Sequence, residues 1–207
     1  MRGITKKSRG ELIVLSGPSG VGKSTVIAEL LSNRRDIHFS VSYTTRSPRV
    51  GEADGVNYNF VTREEFERMI ANNELLEYAQ YVDNYYGTSL KVIQEKLEQG
   101  VDVLLDIEVQ GAATVREKCP EAVLIFIIPP SLEELSRRLY TRNTDAPEII
   151  AQRLEKARSE CKESLMYDYL VVNDTVMSAA QEIQAILEAE CCRVHKRAHL
   201  VKRIVGE

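Results

Sequence analysis

The stretch Gly17-Pro18-Ser19-Gly20-Val21-Gly22-Lys23-Ser24 is the most informative part of this chain. The apolar run at residues 12–15 before it is typical of a buried strand, and residues 26–31 after it have apolar positions at helical spacing. A glycine-rich turn between a strand and a helix, with Lys and Ser where the helix starts, is suited to holding phosphates. The sequence therefore predicts a site for a nucleoside triphosphate.

Each residue type in this loop has a physical role. Glycines allow the backbone to approach an anion closely, so that several N–H groups converge on a phosphate. Lys23 places a compact positive charge between the β- and γ-phosphates, and the Ser24 hydroxyl is positioned to bind Mg²⁺. The expected contacts of this segment are Gly17, Pro18, Ser19, Gly20, Val21, Gly22, Lys23, Ser24 and Thr25.

Composition narrows the class of protein. The chain has 207 residues, a formal net charge of −4, 43% hydrophobic residues and 28% charged residues. An acidic balance argues against a general nucleic-acid-binding protein. No apolar run approaches the roughly 18 residues needed to span a bilayer, and the four cysteines lack metal-ligand spacing. We expect a cytoplasmic protein that binds neither nucleic acid nor membrane.

The order of apolar runs predicts an α/β fold. Five runs alternate with helical patterns and are apolar on both faces, which is typical of a parallel sheet flanked by helices. These predicted strands are residues 12–15, 39–41, 101–107, 123–128 and 169–172. A last helix is expected to carry Val176, Ala180, Ile183 and Leu187 on its apolar face, with residues 193–203 as its solvated basic extension.

Two segments interrupt this alternation. Residues 42–88 are rich in Tyr, Thr and Arg and predict a small inserted lobe, with strands at 58–61 and 75–81 around a helix at 64–72. Residues 138–158 contain an irregular stretch between two arginine-rich helices, which indicates a short helical lid. The remaining core is expected at about 11–41, 89–142 and 165–190, within one domain with basic tails at 1–10 and 191–207.

Several motifs outside the loop narrow the reaction. They are Val41-Ser42-Tyr43-Thr44-Thr45-Arg46-Ser47-Pro48-Arg49-Val50-Gly51-Glu52, then Gly55, Tyr58 and Phe60, then Asn84-Tyr85-Tyr86-Gly87-Thr88, and Leu105-Asp106-Ile107-Glu108-Val109-Gln110-Gly111. Together with the loop, this set closely resembles the guanylate kinase family over almost the whole chain. The resemblance implies a P-loop NTPase fold and a reversible, Mg²⁺-dependent transfer of the γ-phosphoryl group of ATP to GMP or dGMP.

The acceptor side of the site is implied by the same resemblance. Arg46 and Arg49 lie three apart in a loop stiffened by proline, a spacing that suits a phosphate but also fits two solvated arginines. The resemblance implies that they grip the phosphate of GMP together with Tyr58 and Tyr86.

Guanine recognition requires acceptors for its N1–H and 2-amino groups and a donor for its O6. The resemblance assigns these roles to the carboxylates of Glu77 and Glu108 and to the hydroxyls of Ser42 and Thr88. The family commonly has Asp at the position of Glu108 and Ser at that of Thr88. Taken alone, Glu77 would be read as an exposed charge.

The remaining predicted residues surround the triphosphate. Asp106 ends an apolar strand, which fits either a Mg²⁺ ligand or a helix cap. The arginines of the lid fit a salt-bridged helix surface or, by resemblance, a clamp on the migrating phosphoryl group. The predicted catalytic residues are Lys23, Arg46, Arg142 and Arg153; Arg138 and Asn173 are assigned to ATP, and Ser24 and Asp106 to the metal.

Two other functions compete with this interpretation. Scaffold proteins carry non-catalytic domains that resemble guanylate kinase, but such domains typically lack the intact loop that Lys23 and Ser24 complete here. Another P-loop nucleotide kinase with a different acceptor is disfavoured by the guanine-reading acids Glu77 and Glu108. The expected partners are ATP and GMP, and the chain is expected to be a monomer or a homodimer.

Overall fold

The computed structural model describes residues 9–81, 83–141 and 146–206. The strands are β1 Leu12–Ser16, β2 Ile37–Phe39, β3 Tyr43–Thr44, β4 Asn59–Phe60, β5 Leu75–Tyr81, β6 Asn84–Ser89, β7 Asp102–Asp106, β8 Val123–Ile128 and β9 Tyr169–Val172. The helices are α1 Lys23–Asn33, α2 Arg63–Ala71, α3 Leu90–Glu98, α4 Val109–Lys118, α5 Leu132–Thr141, α6 Pro147–Glu163, α7 Val176–Glu190 and α8 Val194–Val205, with a short 3₁₀ helix at Ser164–Met166.

The larger sheet is parallel and covered on both faces. Its strand order is β2-β7-β1-β8-β9. Successive side chains of β1 point to opposite faces, so Ile13 and Leu15 pack with α1 and α7 while Val14 packs with α3 and α4. The predicted α/β fold, with a parallel sheet flanked by helices, is confirmed.

A second sheet of four strands builds the small lobe. Its order is β4-β3-β6-β5, with β6 antiparallel to both neighbours. Phe66 of α2 is fully buried and packs with Met69 and Leu75. The sequence did not predict β3, which is only two residues long, or β6, whose residues carry little apolar pattern. The predicted strand at 39–41 is shifted, because Ile37–Phe39 pair with β7.

Helices α5 and α6 pack against each other beside the glycine-rich loop. The Ser131 hydroxyl accepts a hydrogen bond from the Glu134 amide and so caps the start of α5. Leu139 and Ile150 join the two helices in a small apolar cluster. The connection at residues 142–145, which includes the predicted catalytic residue Arg142, lies outside the described residues.

The chain does not continue α7 into its basic segment, so the predicted helical extension is wrong. A turn at residues 191–193 separates α7 from a distinct helix, α8. Lys196 fastens α8 to the body through Glu11 and Glu190, at 2.7 and 3.1 Å, while most of the helix is exposed. None of the helices in the described ranges is long and apolar enough to cross a membrane.

The position of the core can be tested with two leucines of opposite exposure. Leu104 on β7 is 0% exposed, whereas Leu165 is 92% exposed. We expect Leu104→Ala to lower the free energy of unfolding by about 2–5 kcal/mol, because it leaves a cavity. Leu165→Ala should change it by less than about 0.5 kcal/mol. Urea unfolding measures both; equal losses would contradict this packing.

Candidate functional site

The glycine-rich loop leaves β1 and turns directly into α1. Gly20 and Gly22 have φ angles of 89° and 94°, which residues with a Cβ rarely adopt. Gly17 is required for space, since a Cβ there would lie 2.5 Å from the carbonyl oxygen of Ile127. Gly22 is the N-cap residue of α1, so the unpaired N–H groups of the first helical turn lie at the loop. This arrangement favours an anion.

Lys23 and Asp106 form an ion pair at the loop, with 2.8 Å between Lys23 Nζ and Asp106 Oδ1. The pair forms because β1 and β7 are parallel neighbours with Leu15 opposite Asp106. Their carboxyl ends therefore meet at one edge of the sheet. Ser24 lines the same cleft of about 240 Å³, so the predicted phosphate-binding and metal-binding side chains lie together.

A second cavity, of about 350 Å³, lies between the loop, α5 and the start of α7. Arg138 Nη2 donates to the Asn173 carbonyl oxygen at 3.0 Å, and Asn173 Nδ2 donates to the Val21 carbonyl oxygen at 2.7 Å. Thr25 also lines this cavity. Asn173 is buried, and its Oδ1 has no hydrogen-bond partner among the residues that the structure describes. Arg138 and Asn173, which the sequence analysis assigns to ATP, thus join α5 to the loop.

Arg46 is the centre of a cluster in the small lobe. Its Nη1 and Nη2 each donate to a carboxylate oxygen of Glu52 at 2.9 Å. The guanidinium carbon lies 5.3 Å from the ring centroid of Tyr58, whose ring lies 5.9 Å from that of Tyr86. Hydrogen bonds from Arg46 and from the Arg49 amide hold the pKa of Glu52 below its ordinary value. Glu52 therefore stays charged and orients Arg46.

Glu77 and Thr88 form a buried hydrogen-bonded pair. They lie opposite each other on the antiparallel strands β5 and β6, and the Thr88 hydroxyl donates to Glu77 Oε1 at 2.5 Å. Glu77 is only 4% exposed and Thr88 is 0% exposed. Burial raises the pKa of Glu77, and the hydrogen bond from Thr88 opposes that rise. The interpretation of Glu77 as an exposed charge is wrong.

Glu108 occupies a different setting from Glu77. It is the N-cap residue of α4, and its Oε2 lies 3.3 Å from Lys156 Nζ on α6. Lys156 also lies 3.3 Å from Glu160 Oε1 and 5.1 Å from the ring centroid of Tyr81. The Glu108 side chain is 65% exposed. It is paired with Lys156 rather than joined to the Glu77–Thr88 pair.

The other predicted residues are placed as follows. Ser42 is partly buried just before β3, and its carbonyl oxygen accepts from the Asn59 amide. Arg49 is exposed in the loop that holds Glu52. Arg153 is partly buried on α6.

Sequence reasoning missed three residues that shape the site. Glu52 ends the motif at residues 41–52. An acid so close to two arginines in the sequence indicates an ion pair with one of them. Lys156 gave no signal, since its partner Glu108 is 48 residues away. Gly111 ends the motif at residues 105–111 and has no side chain to suggest a role, yet a Cβ there would lie 2.7 Å from Glu77 Oε2.

Known proteins resemble this chain over most of its length. The family model described as guanylate kinase matches residues 9–190. The guanylate kinase of Latilactobacillus sakei is 55% identical over 97% of this chain and 99% of its own length. That of Lactococcus lactis is 54% identical over 92% and 93%.

A solved structure has the same architecture. The crystal structure of guanylate kinase from Anaplasma phagocytophilum matches with a TM-score of 0.77 at 38% identity, covering 95% of this chain and 96% of that one. With the sequence relatives and the family model, this agreement shows that the chain belongs to the guanylate kinase family.

Proposed function

We propose that this chain transfers the γ-phosphoryl group of ATP to GMP or dGMP with the help of Mg²⁺. The observation that carries the proposal is the buried Glu77–Thr88 pair beside a P-loop. Helix α4 connects the two: its N-cap residue Glu108 lines the loop's cleft, and Gly111, one turn later, lies against Glu77. A phosphoryl donor site and a guanine-reading site are thereby neighbours.

On the donor side, free backbone N–H groups of the glycine-rich loop and of the first turn of α1 hold the phosphates of ATP. Lys23 leaves its pair with Asp106 to contact the β- and γ-phosphates, because their charge exceeds that of one carboxylate. Arg138 and Asn173 line the neighbouring cavity and contact the rest of ATP.

The available oxygen ligands fit Mg²⁺. Ser24 and Asp106 would hold the ion, and both line one cleft. In the described part of the chain there is no group of three or more His, Cys, Asp or Glu residues that could hold a metal, which agrees with an ion held by one carboxylate, phosphates and water. When bound, Mg²⁺ neutralises charge on the β- and γ-phosphates.

On the acceptor side, Arg46, Arg49, Tyr58 and Tyr86 hold the phosphate of GMP. Glu52 holds Arg46 against the Tyr58 ring, so little side-chain freedom is lost when a phosphate binds. Glu77 and Glu108 accept from the N1–H and 2-amino groups of guanine, and the Ser42 hydroxyl donates to O6. The Thr88 hydroxyl donates its one proton to Glu77 and so holds that carboxylate in place for the base.

The reaction needs no general base. The nucleophile is a phosphate oxygen of GMP that is already anionic near neutral pH, so the protein contributes in-line placement and cancellation of charge. Arg142 and Arg153 of the lid would stabilise the migrating phosphoryl group alongside Lys23. Closure on both substrates would also keep water from ATP.

Substrate choice tests the proposal directly. A coupled ADP-release assay should give strong activity with GMP and dGMP, and kcat/KM for AMP should be lower by on the order of 10⁴, because adenine leaves the buried carboxylate unpaired. UMP and CMP should be similarly poor. Lys23→Met should lower kcat with GMP by on the order of 10²–10³. Equal activity with AMP and GMP would refute the assignment.

A matched control can separate a phosphate contact by Arg46 from the general effect of removing an arginine that packs on an aromatic ring. Arg46→Met should raise KM for GMP about 10- to 100-fold, because it removes charged hydrogen bonds to the phosphate, while KM for ATP stays unchanged. Arg63→Met is the matched control, since Arg63 lies 4.8 Å from the Tyr85 ring of the same lobe. Steady-state kinetics should show an unchanged KM for GMP in Arg63→Met. An equal rise of this KM in both variants would contradict a phosphate contact by Arg46.

If the lid closes only when both substrates are bound, ATP should be hydrolysed slowly in the absence of GMP. ADP release without GMP should be far slower than with saturating GMP, since the phosphoryl-transfer site is complete only with both substrates. The measurement compares the two rates at one ATP concentration. Comparable rates would rule out this dependence on closure.

A further inference from the structure

Helix α4 passes over the carboxylate of Glu77 at Gly111. A Cβ at this position would lie 2.7 Å from Glu77 Oε2 and 3.2 Å from Glu77 Cδ. A carbon and an oxygen that are not bonded do not approach within 3.0 Å, so any side chain at position 111 would force the carboxylate or the helix to move.

The backbone gives no reason for a glycine here. Gly111 is the third residue of the regular helix α4, and it is absent from the glycines with a positive φ angle. Alanine is the better helix former at such a position. The glycine is therefore explained by the space that it leaves for Glu77.

The carboxylate has little freedom to give way. Its Oε1 is bound to the Thr88 hydroxyl at 2.5 Å, and its neighbour on β5, Leu76, is 2% exposed. Ile107 also borders this space, with its Cδ1 at 3.4 Å from the same Cβ position. A methyl group would therefore push Glu77 away from Thr88 or separate α4 from β5.

We propose that Gly111 is a specificity-determining position, which acts by leaving Glu77 free to hold its carboxylate against Thr88 in the orientation that accepts from guanine. This inference rests on the proposed function. Gly111 lies three residues after Glu108 and so shares its face of α4. One helix face thus supplies one base-reading carboxylate and makes room for the other.

The test compares GMP with IMP, which lacks only the 2-amino group. Gly111→Ala should lower kcat/KM for GMP about 10- to 100-fold, because a displacement of this size misplaces the acceptor. The loss for IMP should be smaller, so the ratio of GMP to IMP activity narrows, and KM for ATP should not change. An unchanged KM for GMP with an unchanged ratio overturns the proposal.

Ala112→Val controls for packing. Ala112 is fully buried on the same helix, so its enlargement disturbs the core without placing an atom on Glu77. This variant should lose thermal stability and keep the ratio of GMP to IMP activity. If it narrows the ratio as Gly111→Ala does, general loosening of α4 accounts for the effect and the proposal fails.

A double-variant cycle shows whether Gly111 acts through Glu77. In the Glu77→Ala background, Gly111→Ala should leave the Kd for GMP unchanged and raise Tm, because the clash is gone and only the helix preference remains. This comparison is informative even if Gly111→Ala alone folds poorly. A loss of Tm in both backgrounds overturns the proposal, whereas a wild-type enzyme with no GMP-dependent ADP release refutes the proposed function instead.

Discussion

The parallel hydrogen bonding of β1 to β7 fixes where the proposed phosphate and metal sites lie in this chain. Leu15 lies opposite Asp106 in that ladder, so the glycine-rich loop and Asp106 leave the sheet at the same edge, and Lys23 reaches the carboxylate at 2.8 Å. Apolar burial maintains the register, since Leu15 and Val14 belong to the cores on opposite faces. A slip of one residue would exchange those faces and move Asp106 away from Lys23.

The small lobe depends on a different constraint, the burial of a carboxylate. Removing Glu77 from water disfavours its charged form, and burial therefore raises the pKa of its carboxyl group. Thr88 and the space at Gly111 are what make this burial tolerable, because one supplies a hydrogen bond and the other prevents a clash. A buried acceptor that is already fixed in place discriminates between bases better than an exposed one, since a wrong base leaves it unpaired.

Features that depend on local pattern could be predicted from the sequence. The strand, turn and helix around the glycine-rich loop and the strand Val123–Ile128 agree with the sequence prediction, because their signals lie within a few adjacent residues. The split between α7 and α8 was missed, since the turn at 191–193 contains no Gly or Pro to mark it. The burial of Glu77 could not be predicted from its own strand, because nothing there indicates which face an adjacent helix will cover, and the family resemblance implies only its role in base recognition.

The two carboxylates proposed to contact the base, Glu77 and Glu108, differ in how easily each can change partners. Lys156 holds Glu108 at 3.3 Å between side chains that are 43% and 65% exposed, and an exposed pair of this kind is worth only about 0–1 kcal/mol. A ligand that competes for Glu108 therefore has little to overcome, and Lys156 keeps its contacts with Glu160 and Tyr81. Glu77 is buried and cannot exchange partners so cheaply. The proposed site thus combines a fixed carboxylate in the small lobe with a more adjustable one at the start of α4, which is joined to α6 through Lys156.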